Sequence, residues 1–460
     1  MGARQLLYWL CMDSLKLSTL FKGRVIIPTD ADYDAERQVF YGGADKKPAV
    51  IIKVANAEDI QKVIAFARDQ NLELVIRSGG HSPYSATDGG IVIDLRDLHN
   101  VVVDEVGKTV WAGSGLTAGE LTTELDKYNL AIGFGDTGSV GIGGITLGGG
   151  VGFLARKFGL AIDNLLAAEI VTADGKILQV DEDNYPDLFW AVRGGGGNFG
   201  VVTKFKYALH DLDGCYGGML LMPAAPEVIT GIAQIAKKAP DELSVIVNVM
   251  PTFPAPFVAK EFHGKMSVMT LVMYAGDPKE GEKVISPIRA LAKPIADMLK
   301  PMRYKDIFMP EDPNYHPTAV STNLFMEDID RDTAVSILDW LGRIDASMKA
   351  FQFRVLGGAV ARISDDATAY AHRQNVIMGN VACFYETDEQ KPLYQAWVDD
   401  FATSLRRGNT EAYVNFVGAR GQDKALTVYP KQTLARLQQI KAIYDPMNIF
   451  RINFNIHPIE

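Results

Sequence analysis

Residues 75–82, VIRSGGHS, take a short apolar strand straight into two glycines and a histidine, with a cation and hydroxyls beside them. Ser78, Gly79 and Gly80 form a segment whose backbone can adopt φ > 0 and turn several amides inward, the concave arrangement that binds phosphate oxygens. Arg77 adds a fixed positive charge. His81 falls at the lip of this turn, between a strand at residues 73–76 and another at residues 91–95. A histidine so placed can be a ligand, a base or a nucleophile, and it can equally be a polar turn residue joining two strands.

Upstream, residues 49–55 (AVIIKVA) read as a strand, and residues 57–69 as a helix with Ile60, Val63, Ile64 and Ala67 at helical spacing. With residues 73–76 they make a βαβ unit. Downstream, VVVDEVGKTVWAG (residues 101–113) alternates on both sides of residues 106–108 and predicts a β-hairpin, followed by a helix over residues 117–128. Gly113, Gly115 and Ala118 spell G-x-G-x-x-A, with Asp136 at a dinucleotide-like distance. That match is weak, because the preceding strand belongs to a hairpin and Thr117 with Glu120 already forms a capping box. Residues 133–152 then hold ten glycines in twenty positions. No globular helix or strand needs so many unless backbone must approach something closely, and a long planar or phosphorylated ligand is the natural candidate. A hairpin turning at Asp174-Gly175, a helix near PDLFWAVRG, a second glycine run at residues 194–197 and the strand VVTKFKYAL complete the region. The absence of G-x-x-x-x-G-K-[ST] excludes a P-loop.

At 460 residues the chain predicts two domains or three lobes, and 47% apolar residues are ample for their cores. A net charge of −10 gives nucleic acid and anionic membranes nothing to select, so a small molecule is the expected partner. Cys11, Cys215 and Cys383 are too few and too far apart for a disulfide framework or a CxxC zinc site. No Asn-x-Ser/Thr sequon occurs, the apolar patch in residues 1–17 reads as a helix rather than a signal peptide, and no run reaches the length of a membrane span. The expectation is a cytoplasmic protein. Oligomeric state is not legible.

Glycine clusters stop near residue 212. Beyond it, strands (MLLMP, SVIVNVM, MSVMTLVMYA, FQFRVLGGAV, NVIMGNVACFY) alternate with helices around residues 228–238, 278–291, 333–346 and 389–405, which predicts an α+β domain on a largely antiparallel sheet. Residues 309–317, with three prolines, read as a surface connection. The last fifty residues change again, with AYVNFVG and YDPMNIFRINFNIHP rich in aromatics and asparagines that suit the edge of a heteroaromatic ring or a packed tail with turns. The expected parts are residues 1–211, residues 212–408, and residues 409–460 returning to the first part.

Taken together, RSGGHS, DGGIVIDL, GSVGIGGITLGGGVGFLARKFGLAIDNL, DLFWAVRGGGGNFGVVT and YDPMNIFRINFNI resemble the berberine bridge enzyme-like branch of the FAD-linked oxidases, and in the first 210 residues its hydroxynicotine-oxidase-like bacterial members. The resemblance covers nearly the whole chain. It implies a two-lobed FAD domain of the vanillyl-alcohol-oxidase type and an α+β substrate domain with an antiparallel sheet. It implies that His81 bonds covalently to the 8α-methyl of the flavin, that Arg77, Ser78, Gly79, Gly80 and Ser82 wrap the pyrophosphate, and that Ser139, Gly143, Gly144, Thr146, Gly150 and Val202 also lie against the cofactor. Members with a second tether carry cysteine where this chain has Thr137, so a single tether is implied. Where many plant members place a histidine near the flavin N1 edge, this chain has Ile145, which leaves Asn453 or Asn455 to stabilise the reduced ring. Val140 matches a small valine that leaves oxygen access. The loop after His81, SPYSATDGG, is shorter than usual.

Tyr413 matches a tyrosine that faces the flavin as base or orienter. In ISDDATAYAHRQN the position matching an acidic active-site residue is Ala367, which leaves Asp365, Asp366 and His372 as candidates, with Gln352 and Arg354 on a neighbouring strand. The resemblance thus implies an FAD oxidase that takes a hydride from a C–H bond next to nitrogen or oxygen and passes electrons to O2. A flavin dehydrogenase with another acceptor, a carbohydrate or alcohol oxidase, and a flavin-binding protein without turnover are the alternatives.

Overall fold

The computed structural model describes residues 19–43, 45–312, 314–417 and 425–459, so the helix expected over residues 1–17 lies outside the described residues. Strands β1 (Arg24–Ile26), β2 (Val50–Lys53), β3 (Leu74–Arg77) and β4 (Ile91–Asp94) form one sheet in the order β1-β2-β4-β3. The last three run parallel, with Lys53 and Arg77 both opposite Asp94. Parallel strands need a crossover, and helix Ala57–Asp69 supplies it. Asn56 caps that helix by accepting from the Asp59 N–H, while Ile60, Val63, Ile64 and Ala67 bury its inner face against the sheet. The crossover passes one strand position, which β4 fills after the chain has made the loop carrying His81. All three parallel strands therefore end at one edge, where sheets of this kind take their ligands.

Strands β5 (Val101–Asp104) and β6 (Thr109–Gly113) are the expected hairpin. The short strand β7 (Leu130–Ala131) follows, and then β8 (Leu165–Val171), β9 (Ile177–Val180) and β10 (Val201–Ala208) complete an antiparallel sheet ordered β5-β6-β10-β8-β9. Helix Ala118–Asp126 begins at the Thr117–Glu120 capping box, which explains the G-x-G-x-x-A spacing without any nucleotide. Leu121, Ile142, Phe189, Phe205 and Tyr207 share the core of this second lobe.

The third unit is a fully antiparallel sheet of eight strands. After β11 (His210–Asp211), which pairs with β7, come β12 (Cys215–Pro223), β13 (Leu243–Pro251), β14 (Met266–Tyr274), β15 (Ala296–Asp297), β16 (Lys300–Met302), β17 (Ala319–Met326), β18 (Lys349–Val355) and β19 (Ile377–Phe384). Side chains alternate along a strand. Val245, Val247, Val249, Phe351, Phe353 and Val355 accordingly pack under helices Pro226–Lys238, Arg331–Gly342 and Gln390–Arg406. Burial of each such side chain contributes about 1.5–3 kcal/mol. Ile246, Asn248, Gln352 and Arg354 take the opposite face, toward the first two lobes. Strand β17, which among the described residues pairs with β19 alone, and helix Lys431–Tyr444 were not expected from the sequence.

That last helix packs on helix Pro186–Val192 of the second lobe. Its fully buried Lys441 donates to the carbonyls of Asn198 (2.7 Å) and Phe450 (3.0 Å) and pairs with the equally buried Asp445 at 2.7 Å. Among the described residues no helix is long and apolar enough to cross a membrane, and no cluster of His, Cys, Asp and Glu is set to hold a metal.

Candidate active site

The β3–β4 connection leaves the carboxyl edge of the first sheet and immediately meets the glycine-rich loop of the second lobe. A Cβ on Gly79 would lie 2.2 Å from the Gly141 nitrogen, and one on Gly141 would lie 2.1 Å from the Gly79 nitrogen. The close approach that demands glycine here is therefore one backbone loop against the other. Ser78 locks the pair: its hydroxyl donates to the Ser114 carbonyl at 2.6 Å and accepts from the Gly143 N–H at 3.3 Å. Gly80 takes φ +73°, and its carbonyl accepts from Phe40 N–H at 2.9 Å.

Several side chains expected at the cofactor have protein partners. Arg77 is 2% exposed and faces Asp94 at 2.8 Å, so its charge is compensated inside the sheet. The Ser82 hydroxyl accepts from Tyr84 N–H at 3.2 Å, capping the turn Pro83–Ser85 that the shortened loop forms. Thr146 is buried against Tyr207, hydroxyl to hydroxyl at 2.8 Å, and Val202 belongs to the second lobe's core. Gly144, by contrast, is exposed and a Cβ there would meet nothing within 4 Å, so helix Ile142–Gly148 turns an open side toward the crevice.

His81 is half-buried, stacked on Phe40 with ring centroids 4.2 Å apart. Its Nε2 lies 2.7 Å from the Ser139 hydroxyl, which in turn bonds the Glu311 carboxylate. Burial pushes the imidazole pKa down, against the opposing pull of Glu311 and Asp136, which favours the neutral ring. Thr137 and Val140 are half-buried beside it; Val140 fixes the loop by accepting from Ala118 N–H at 2.8 Å.

Tyr413 enters from the C-terminal segment, 2% exposed, at the seam between the second lobe and the third unit. Its hydroxyl accepts from the Gly150 N–H at 3.0 Å and from Asn415 Nδ2 at 2.7 Å. Gly149 and Gly150, at φ +138° and +81°, turn the backbone so that this N–H can point there. Asn323 of β17 grips the Tyr413 backbone from the other side, accepting from its N–H at 2.6 Å and donating to its carbonyl at 3.2 Å. Burial raises the Tyr413 pKa although the two donated bonds oppose it, so the hydroxyl is a neutral phenol near pH 7.

Next to it, Arg354 pairs with Asp136 at 2.6 Å and donates to the Val151 carbonyl at 3.0 Å and Gln352 Oε1 at 2.8 Å, while Gln352 donates to Asn248 at 2.9 Å. This network stitches the third unit to the glycine loop, and it gives Asp136 a protein partner instead of a ribose. Asp365, Asp366 and Ala367 are exposed, and His372 is buried against the Val428 carbonyl. Among the described residues, none of the four makes a hydrogen bond, ion pair or ring contact with Tyr413 or His81. Asn323, Asn415, Phe40 and Glu311 were not singled out in the sequence, although AYVNF held Asn415 two places from Tyr413.

On the third wall, Asn453 Nδ2 donates to the Gly197 carbonyl at 2.9 Å, and Asn455 Nδ2 lies 3.0 Å from His457. The amide oxygens of Asn453 and Asn455 are buried without a partner among the described residues, as is the Ser114 hydroxyl beside the paired loops. Buried polar atoms of native proteins are bonded. Open space over Gly144, orphaned polar atoms and a histidine at the mouth fit a long cofactor with polar edges.

Residues 48–181 match the FAD binding domain family model, and residues 412–457 match the model described as berberine and berberine like. (R)-6-hydroxynicotine oxidase of Paenarthrobacter nicotinovorans is 30% identical over 97% of this chain and 99% of its own length. An FAD-linked oxidoreductase of Dictyostelium discoideum is 30% identical over 90% of this chain and 89% of its own. The crystal structure of 6-hydroxy-D-nicotine oxidase from Arthrobacter nicotinovorans superposes with a TM-score of 0.85 at 27% identity, covering 95% of this chain and 98% of that one. The fold, the two matched segments and the full-length relatives agree: this chain belongs to the berberine bridge enzyme-like branch of the FAD-linked oxidoreductases.

Proposed function

We propose that the protein is an oxidase that removes a hydride from a C–H bond next to nitrogen or oxygen of a small molecule, carries its FAD on one covalent tether at His81, and gives its electrons to O2 with release of hydrogen peroxide. FAD, when bound, supplies the hydride acceptor and the route of electrons to O2. The observation that carries the reading is the Tyr413 hydroxyl. It accepts two hydrogen bonds, from Gly150 and Asn415, and its own proton has no acceptor among the described residues. A neutral phenol held this way donates to a substrate heteroatom and so orients the adjacent C–H; its raised pKa favours this role over that of a base. Thr137, which has no thiol, supports the single tether. The hydroxynicotine oxidase likeness supports an amine as the first class of substrate to try.

A panel of small amines, alcohols and sugars, read by peroxide release, tests the reaction. Tyr413→Phe is expected to lower kcat/KM on any active substrate by about 10²-fold while retaining FAD. No peroxide from any compound, or an unaffected Tyr413→Phe protein, would overturn the assignment. The tether is read separately: yellow colour should stay with acid-precipitated protein and pass to the supernatant in His81→Ala.

A further inference from the structure

The chain His81–Ser139–Glu311 has a direction, which follows from counting hydrogens. A serine hydroxyl has one proton to give, and an ionised carboxylate can only accept. Ser139 therefore donates to Glu311, which leaves its oxygen to accept from His81 Nε2 at 2.7 Å. The proton of the neutral imidazole is then on Nε2, and the lone pair is on Nδ1, which has no hydrogen-bond partner among the described residues. The ring is fixed on its flat face by Phe40. His316, five residues beyond Glu311, lies 3.0 Å from the Val39 carbonyl and 3.2 Å from that of Phe40, and Pro317 accepts from Gly42 N–H at 3.0 Å. His316 and Pro317 thus hold the backbone on either side of the ring that stacks on the imidazole.

We propose that Ser139 and Glu311 are positioning residues for attachment of the cofactor: they hold the proton on His81 Nε2, leave Nδ1 as the bond-forming nitrogen, and draw the Nε2 proton away when the bond is made. The proposal rests on the single-tether reading above. A C–H bond of the 8α-methyl breaks and a bond from Nδ1 to that carbon forms, leaving the flavin reduced by two electrons. O2 then takes those electrons, and the methyl and imidazole protons balance as hydrogen peroxide. As Nδ1 is alkylated the ring becomes cationic, and its Nε2 proton passes to Ser139 as the serine proton passes to Glu311, the hydrogen-bond logic by which a histidine is oriented and discharged in nucleophilic sites.

The test uses purified full-length protein incubated with FAD, with the acid-stable fraction of flavin followed in time and the flavin peptide analysed by NMR for the nitrogen that bears the 8α-carbon. The unmutated protein is expected to attach flavin wholly at Nδ1. Ser139→Ala should attach at least about tenfold more slowly and through both nitrogens; Ser139→Thr, which keeps the hydroxyl, should restore rate and Nδ1 selectivity; and Glu311→Gln, on an exposed residue, should slow attachment several-fold. Attachment at Nε2 in the unmutated protein, or an unchanged rate and nitrogen in Ser139→Ala, overturns the relay while the tether stands. Complete release of flavin by acid from the unmutated protein overturns the tether, and the relay with it.

Discussion

Arg77 shows how a residue's neighbours decide its task. A guanidinium two positions before a glycine pair reads as a phosphate cation, but Asp94 stands opposite it in the register of β3 and β4, and both side chains are almost fully buried. Removing one partner of such a pair strands the other charge, at a cost of about 3–5 kcal/mol. Asp94→Asn is therefore expected to lose stability of that order in urea unfolding; a phosphate-binding arginine would instead show normal stability and weak FAD retention when changed to Gln. Glu411 makes a pH-dependent contribution. His372, with Asn375 and Asn409, holds its carboxyl down at about 2 against the opposing effect of burial. A depressed acid stabilises the fold above its ordinary value and loses that contribution as pH falls through the folded one. The Tm difference between the unmutated protein and Glu411→Gln should thus be greatest above about pH 4.5 and shrink toward pH 2. Of the candidate site residues, His81 and Tyr413 each sit in a distinctive short motif. The protein partners of Ser78, Ser82 and Thr146 were not legible, since a hydroxyl has the same letter whether it meets a ligand, a carbonyl or another hydroxyl.

Among elements, helix Ala57–Asp69 was readable to the residue, because cap and apolar period agree. Strand β17 was not, because helix Gln390–Arg406 covers one side and the Tyr413 segment the other, and Asn323 sits inward where the pattern calls for an apolar residue. The glycine run signalled close approach correctly but not its object. At Gly79 and Gly141 the object is backbone, whereas at Gly144 there is open space. The two cases separate experimentally. Gly79→Ala or Gly141→Ala should lower Tm in the protein with or without FAD, since the paired loops must part. Gly144→Ala should leave the FAD-free protein unchanged or more stable by about 0.5–1 kcal/mol, from helix propensity, yet lower its FAD content. Equal Tm losses in all three would mean that Gly144 also touches protein.

Across the whole molecule, three buried arginines hold the units in register: Arg354 on Asp136, Arg373 on Asp163 at 2.7 Å, and Arg156 on the carbonyls of Leu356 and Ala239. Asn323 does the same for the Tyr413 backbone, so Asn323→Ala should cost about 1–3 kcal/mol and lower kcat more than KM rises, with flavin content unchanged; intact turnover would show that Tyr413 is held well enough by Gly150 and Asn415. The two-lobed plan with its antiparallel third unit was legible from period and glycine content, but the contacts between units were not, because they join residues hundreds of positions apart. Lys441 carries this furthest. Its ammonium fixes the carbonyl of Asn198, 243 residues earlier, at the end of the second glycine run. During synthesis that run leaves the ribosome long before its anchor exists, so Asn198 gains this partner only after the last helix has emerged. A chain ended before residue 441 would leave the Asn198 carbonyl without this donor.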